Sequence, residues 1–96
     1  MTTDRQAASF DEAFPDLAAV AYRVAYRLLG NRAEAEDVAQ ETLARAFVRW
    51  RRIRDHAVPW VARVAANLVL DQLRAKARAT ASWATSSASA RLPRSR

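Results

Sequence analysis

The chain contains no cysteine, which excludes a disulfide framework and any metal site built on thiolates. Glycine occurs once, at Gly30, and proline occurs three times. So few turn-forming residues argue against a β-sheet, which needs turns between its strands, and favour long helices. With 96 residues, the chain has room for one small domain. We therefore predict a single all-α domain.

Long hydrophobic runs are also missing. Charged residues interrupt every apolar stretch before it reaches the roughly 20 residues that a membrane span needs. The polar N-terminal residues 1–6 lack the apolar centre of a signal peptide. One histidine, no cysteine and one glycine leave no catalytic triad, metal cluster or phosphate-binding loop. We therefore expect a cytoplasmic protein that is not an enzyme, with no catalytic residue, metal or cofactor.

Acidic residues become scarce after residue 41. Residues 1–41 hold eight acids and four bases, a net charge of −4, whereas residues 42–96 hold two acids and twelve bases, a net charge of +10. A basic segment of this kind favours nucleic acid or an anionic membrane surface as its partner. The acidic half of the chain predicts a second, different partner.

Capping residues and hydrophobic periodicity predict a first helix after a flexible leader over residues 1–8. Ser9 and Glu12 form a capping box, so a helical turn is expected there, and the main helix is expected to begin at Pro15. Apolar residues recur every three or four positions and predict its buried stripe, which consists of Phe10, Phe14, Leu17, Ala21, Val24 and Leu28. Gly30 is the expected C-terminal cap.

The second helix is expected to run from about Arg32 to about Arg51, with Asn31 and Glu34 forming its capping box. Its predicted core face consists of Ala35, Ala39, Leu43, Ala46, Phe47, Trp50 and Ile53. The opposite face consists of Asp37, Gln40, Glu41, Ala44 and Val48. Small apolar residues beside acid and amide groups indicate a surface kept open for a partner. A solvated acidic face that touches nothing is the alternative.

A basic loop is predicted over residues 51–58, followed by a third helix from Pro59 to about Arg78. Its predicted core side consists of Val61, Val64, Ala65 and Leu68. Another side carries Trp60, Arg63, Asn67, Leu70, Arg74 and Arg78 at steps of three and four residues. Residues 79–96 show no periodicity and are expected to form a disordered tail. The prediction is a small three-helix bundle over residues 9–78.

Two blocks of the sequence resemble region 2 of the extracytoplasmic-function (ECF) sigma factors, which direct bacterial RNA polymerase to promoters. The first block is Gly30-Asn31 followed by residues 35–47, AEDVAQETLARAF, and the second is residues 60–74, WVARVAANLVLDQLR. The resemblance covers roughly residues 10–78 and implies a helical sigma region 2 domain that acts in transcription initiation. No helix-turn-helix for the −35 element follows, so we expect a region 2 module without region 4.

The resemblance implies that Asp37 and Gln40, with Glu41 beside them, dock on the clamp coiled coil of the polymerase β′ subunit. Ala44 and Val48 extend that candidate polymerase-binding face. The second block and the loop before it are expected to face the non-template strand of the promoter −10 element. The candidate DNA-binding residues are Arg51, Arg52, Arg54, Trp60, Arg63, Asn67, Leu70, Arg74 and Arg78. An anti-sigma factor is a further possible partner, and no membrane contact is expected.

Several alternatives stay open at this point. Trp60 can be a core residue instead of a base-stacking one, and Asn67 can bond Asp71 one turn away. A small helical DNA-binding regulator that acts without polymerase also explains the basic half. A peripheral membrane protein explains the arginine stripe, although Asn67 and Arg63 make a poor insertion face. The short segment between Phe47 and Trp60 lacks the Gly/Ser-rich, aromatic character of the family's loop, so base preference stays open, and Ala39 stands where a larger aliphatic residue is common.

Overall fold

The computed structural model describes the backbone of residues 2–91 and the side-chain surroundings of residues 9–81. Its elements are α1 (Thr2–Leu29), α2 (Arg32–Val48), α3 (Trp50–Ile53), a 3-10 turn (Arg54–His56) and α4 (Ala57–Arg91). No strand occurs between residues 2 and 91. Each of the three long helices, α1, α2 and α4, packs against the other two. The predicted all-α, three-helix fold is confirmed.

The connection between α1 and α2 forms as its residue types predict. Gly30 has a φ of +68°, a left-handed conformation that disfavours a side chain, and its N–H donates to the carbonyl of Tyr26 at 2.7 Å. Asn31 has an extended backbone, and its Oδ1 accepts a hydrogen bond from the Glu34 N–H at 2.8 Å. The second half of the predicted capping box is missing, because the Glu34 carboxylate binds Lys76 Nζ instead.

Small and large side chains share the core. Five alanines have no exposed surface: Ala21, Ala25, Ala35, Ala46 and Ala65. The larger buried side chains around them are Phe10, Leu17, Val38, Leu43, Trp50, Ile53, Val61 and Val69. Phe10 and Trp50 meet edge to face, with ring centroids 5.3 Å apart. Because side-chain size at the contact sets the distance between helix axes, the alanines allow a close approach.

Three of the predicted core residues lie at the surface instead. Phe14, Leu28 and Phe47 are 44%, 47% and 55% exposed. Phe47 lies at the edge of the apolar stripe of α2, and the helix ends one residue later, so Trp50 fills the core position. Phe47 retains a contact with the rim of the core through Phe10, at 5.2 Å between ring centroids. The prediction of these three residues as core is therefore wrong.

The remaining predicted core positions are at least partly buried. Val24, Val64 and Leu68 are half-buried and lie beside the fully buried stripe. Three positions with no exposed surface were missing from the predicted core faces, Ala25, Thr42 and Val69. On α4 the buried side chains follow a strict four-residue step, which consists of Ala57, Val61, Ala65 and Val69. This step turns the α4 core face slightly away from the predicted one.

Helix α1 begins earlier than predicted and continues through Pro15. It starts at Thr2, so the predicted starts at Ser9 and Pro15 are wrong, and residues 2–8 of the predicted leader are helical. Proline lacks the N–H that would donate to the carbonyl of Asp11. Both residues are exposed, so water can hydrate that carbonyl. The helix tolerates the proline because it lies on the solvent side.

The segment predicted as a basic loop, residues 51–58, is helical. Helix α2 ends at Val48 rather than near Arg51, and the Arg49 N–H then donates to the carbonyls of Arg45 and Ala46, both at 3.2 Å. Further local bonds of this kind form α3 and the 3-10 turn. The backbone therefore satisfies its own polar groups here without a strand or an irregular loop.

Helix α4 begins slightly before the predicted start and ends well beyond the predicted end. It starts at Ala57, which leaves Pro59 in the first turn, where the missing N–H has no helical acceptor.

At the other end, α4 extends to Arg91, so the predicted helix end near Arg78 is wrong. Residues 73–81 are exposed throughout, so burial does not explain the helix over this part of the extension. Alanine at positions 75, 77, 79 and 81 does, because alanine has the highest intrinsic helix propensity. Of the predicted disordered tail, residues 79–91 belong to α4, and residues 92–96 lie outside the described part of the chain.

The Asn31 cap gives a direct test of the α1–α2 turn. Asn31→Ala removes the acceptor for the Glu34 N–H and should lower the free energy of unfolding by about 1 kcal/mol. In a domain of this size, that loss should lower Tm by roughly 4–8 °C, measured by circular dichroism. Asn31→Ser is the control, because it keeps a capping oxygen and should keep most of the stability. An unchanged Tm in Asn31→Ala would contradict the capping role.

Candidate functional site

The first candidate surface is the outer face of α2, which consists of Asp37, Gln40, Glu41, Ala44 and Val48. All five side chains are exposed, and Val48 is exposed to 77%. Between Asp37 and Ala44, the intervening residues Val38, Ala39, Thr42 and Leu43 are buried. Helix α2 thus uses one side for the core and presents the other to solvent, and the predicted exposure of this face is confirmed.

Thr42 lies on the buried side of α2 and was missed as a core residue. It has no exposed surface, and its Oγ1 donates to the carbonyl of Val38 at 2.7 Å. This bond satisfies the hydroxyl within the helix, so burying the polar group costs little. The threonine therefore contributes to the core that holds the outer face in place.

The polar groups of the outer face are available to a partner. Glu41 is paired with Arg45 at 2.9 Å, but the two side chains are 54% and 48% exposed. Exposed pairs one helical turn apart contribute only about 0.3–0.5 kcal/mol, so a partner can displace this one. Within the described part of the chain, Asp37 and Gln40 make no side-chain hydrogen bond. Their donor and acceptor groups are left for a ligand.

An apolar groove of about 300 Å³ lies between α1 and α2, beside this face. Its walls and floor consist of Phe14, Ala18, Tyr22, Glu36, Ala39, Gln40 and Leu43. Gln40 belongs both to the groove and to the outer face of α2, so the two surfaces are continuous. The groove was not predicted from the sequence, because its shape depends on which residues of two different helices face each other.

The second candidate surface is the stripe on α4 (the α4 stripe), which consists of the exposed residues Arg63, Asn67, Leu70, Arg74 and Arg78. Trp60, predicted to share this side, is half-buried against the core, so only part of its ring is accessible. Asp71 accepts a hydrogen bond from Arg74 at 3.3 Å and not from Asn67. The alternative that Asn67 binds Asp71 is therefore wrong, and its amide is open to a ligand.

A long-range ion pair joins the two helices that carry the candidate surfaces. Lys76 Nζ on α4 lies 2.9 Å from the Glu34 carboxylate at the start of α2, and the two side chains are 56% and 37% exposed. This contact with a carboxylate ties α4 to α2 and leaves Lys76 less available to phosphate than Arg63 and Arg78 of the α4 stripe.

The arginines before α4 lie in two settings. Arg51 and Arg52 are exposed on α3. Arg54 lines a cleft of about 630 Å³ together with three carboxylates, those of Glu12, Asp16 and Asp55, and with His56 and Trp50. The Trp50 indole N–H is buried and has no hydrogen-bond partner among the described residues. Because carboxylates repel phosphate, this cleft is a poorer phosphate site than the α4 stripe.

Two further features of the described residues bear on function. No group of three or more histidine, aspartate and glutamate side chains in the described part is placed to hold a metal ion. None of the described helices is both long enough and apolar enough to cross a membrane.

Comparison with known proteins identifies the family. A model of the sigma-70 region 2 family matches residues 15–79. The chain therefore belongs to the sigma-70 region 2 family. Its relatives include ECF RNA polymerase sigma factors, and the family resemblance predicted from the two sequence blocks is confirmed.

Three relatives illustrate the similarity. The chain is 43% identical over 72 residues to the ECF RNA polymerase sigma factor SigL of Mycobacterium tuberculosis, which covers 72% of this chain and 41% of SigL. It is 44% identical over 57 residues to SigW of Bacillus subtilis, covering 57% of this chain and 30% of SigW. It is 40% identical over 71 residues to SigE of Mycolicibacterium smegmatis, covering 73% of this chain and 28% of SigE. The chain thus spans less than half the length of these relatives, and no solved structure matches it significantly.

Substitutions on neighbouring residues of α2 test whether the outer face is separate from the core. The double variant Asp37→Lys/Gln40→Lys should leave the free energy of unfolding within about 0.5 kcal/mol of the wild-type value, because both side chains are exposed. Val38→Lys places a charge at a position that is 1% exposed and should unfold the domain. Chemical denaturation measures both. A large loss of stability in the double variant would show that Asp37 or Gln40 is structural.

Proposed function

We propose that this chain is the part of an ECF sigma factor that binds core RNA polymerase and recognises and melts the promoter −10 element. The observation that carries the proposal is the exposure of Asp37, Gln40 and Glu41 on a helix whose other side is buried. These are the residues of the family motif to which the resemblance assigns the contact with the β′ clamp. Membership of the sigma-70 region 2 family supports the same function.

The outer face of α2 suits a helical partner. A carboxylate and an amide, held three residues apart on a rigid helix, can pair with arginine side chains and backbone groups of a second helix. Ala44 and Val48 lie further along the same face and offer apolar area without bulk. A partner that covers this face removes Val48 from water, where it is 77% exposed in the free chain.

The α4 stripe suits single-stranded DNA. Its three arginines, Arg63 and, about three turns further along, Arg74 and Arg78, supply the positive charge for the electrostatic part of backbone binding. Asn67 offers both a donor and an acceptor to a base edge. Leu70, 41% exposed, and the accessible part of Trp60 add apolar surface for an unstacked base. Arg51 and Arg52 extend the basic surface on α3, and Arg54 contributes less because of the carboxylates around it.

The proposal includes no catalytic step, and it places the protein in the cytoplasm, where polymerase and promoter DNA meet. An anti-sigma factor that covers either surface would act as an inhibitor. A small DNA-binding regulator that acts without polymerase is the alternative. It uses the α4 stripe in the same way but gives no role to the outer face of α2.

Binding of core RNA polymerase is the first test. The Asp37→Lys/Gln40→Lys variant should lose binding in a co-purification assay, because two cations replace an acid and an amide at the docking face. The matched control is Glu12→Lys, a charge reversal at an exposed position of α1 outside this face, which should leave binding unchanged. Undiminished binding by the double variant would show that polymerase docks elsewhere. Absence of binding by the wild-type chain, with DNA binding retained, would favour the independent regulator.

Substitutions in the α4 stripe should distinguish residues that bind phosphate through charge from a residue that recognises a base. Arg63, Arg74 and Arg78, each changed to Ala, should weaken all oligonucleotides about equally and reduce the salt slope by about 0.7 per phosphate contact. Asn67→Ala should keep the salt slope and cost roughly 1–3 kcal/mol only against the preferred base. Fluorescence anisotropy with single-stranded −10 DNA, in the presence of polymerase, measures both effects. Equal losses for all four bases with Asn67→Ala would show that Asn67 does not read the base.

A further inference from the structure

We propose that the groove between α1 and α2 receives an apolar side chain of the polymerase helix that binds the outer face of α2. The inference rests on the proposed function and adds an apolar pocket to the polar contact already described. The groove is lined almost entirely by apolar atoms and measures about 300 Å³, at the lower end of the range for ligand pockets. A cavity of this size accommodates one large side chain and its neighbours.

Two alanines create the groove. Ala18 on α1 and Ala39 on α2 both line it, and neither fills the space between the helices. Larger side chains rise on either side, with Phe14 44% exposed at one end and Tyr22 half-buried at the other. These two small residues leave open a space that larger side chains at the same positions would occupy.

The spacing of the lining residues matches what a helical partner needs. Phe14, Ala18 and Tyr22 follow each other at four-residue steps on α1. On α2 the lining residues Glu36, Ala39, Gln40 and Leu43 lie at steps of three, one and three, a single helical stripe. Two such stripes side by side form a hole of the kind into which one side chain of a third helix inserts.

The acidic residues around the groove indicate the charge of the helix that would bind there. Glu36 lines the groove, Asp37 and Glu41 lie close by on α2, and none of the lining residues is basic. Charge complementarity therefore favours a partner with lysine or arginine next to the inserted apolar side chain. Gln40 lines the groove and belongs to the outer face, so a single helix lying on α2 reaches both. These features favour a basic amphipathic helix over an uncharged small molecule.

The test fills the groove from the side of α1 and leaves the outer face of α2 untouched. Ala18→Phe places a ring in the space reserved for the partner, and we expect at least tenfold weaker binding to core RNA polymerase, measured by biolayer interferometry. Ala19→Phe is the matched control, because Ala19 is the next residue, is exposed and does not line the groove. Its affinity should equal that of the wild type. Ala18→Met, with a flexible side chain, repeats the test if the phenylalanine lowers Tm.

The outcomes separate this inference from the proposed function. If Asp37→Lys/Gln40→Lys abolishes binding and both Ala18 variants bind like the wild type, the groove inference is wrong and the proposed function stands. If the wild-type chain does not bind polymerase, both fail. If Ala18→Phe abolishes self-association of the chain in sedimentation analysis and leaves polymerase affinity unchanged, the occupant is a second copy of the chain and the inference is overturned.

Discussion

Five alanines without exposed surface, Ala21, Ala25, Ala35, Ala46 and Ala65, belong to the core formed by α1, α2 and α4, and their size allows the helices to pack closely. A larger side chain at any of these positions would push two helices apart, at a typical cost of about 1–3 kcal/mol. The close packing also limits the space for aromatic residues. Phe10 and Trp50 occupy it, whereas Phe14 and Phe47 remain at the surface.

Both candidate binding surfaces depend on this frame. The outer face of α2 and the α4 stripe lie on helices whose other sides are buried, so the position of each side chain follows from the helix backbone. The ion pairs of α2 and α4, Glu41–Arg45, Arg74–Asp71 and Lys76–Glu34, are all substantially exposed. Such pairs contribute at most about 1 kcal/mol each, so partners can break them without unfolding the domain. Stability therefore comes from the core, and the exposed charges remain available for binding.

Local signals were enough to predict part of this structure. Gly30 and Asn31 predicted the α1–α2 turn, because glycine followed by a capping side chain is typical of the end of one helix and the start of the next. The period of α2 separated Asp37 and Gln40 from the core, and the two sequence blocks identified the family.

Signals that depend on other elements, or that compete with one another, were missed. Phe47 follows the apolar period of α2, but the helix ends at Val48, and after the turn at Arg49 the core position is filled by Trp50. Pro15 was predicted to start a helix, because the sequence does not reveal that the Asp11 carbonyl, which has no N–H donor at Pro15, faces water. The end of α4 was placed near Arg78 because periodicity stops there, whereas helix propensity continues. The groove requires the relative position of two helices, which no single stretch of sequence encodes.

The central claim is that one surface of this chain binds polymerase and another binds promoter DNA. Site-specific photo-crosslinking tests it most directly, with a photoreactive amino acid at the exposed position of Ala44 on α2 or of Leu70 on α4. In a mixture of core RNA polymerase and single-stranded −10 DNA, position 44 should crosslink to the β′ subunit and position 70 to DNA. Crosslinks from position 44 to DNA, or from both positions to the same partner, would contradict the account.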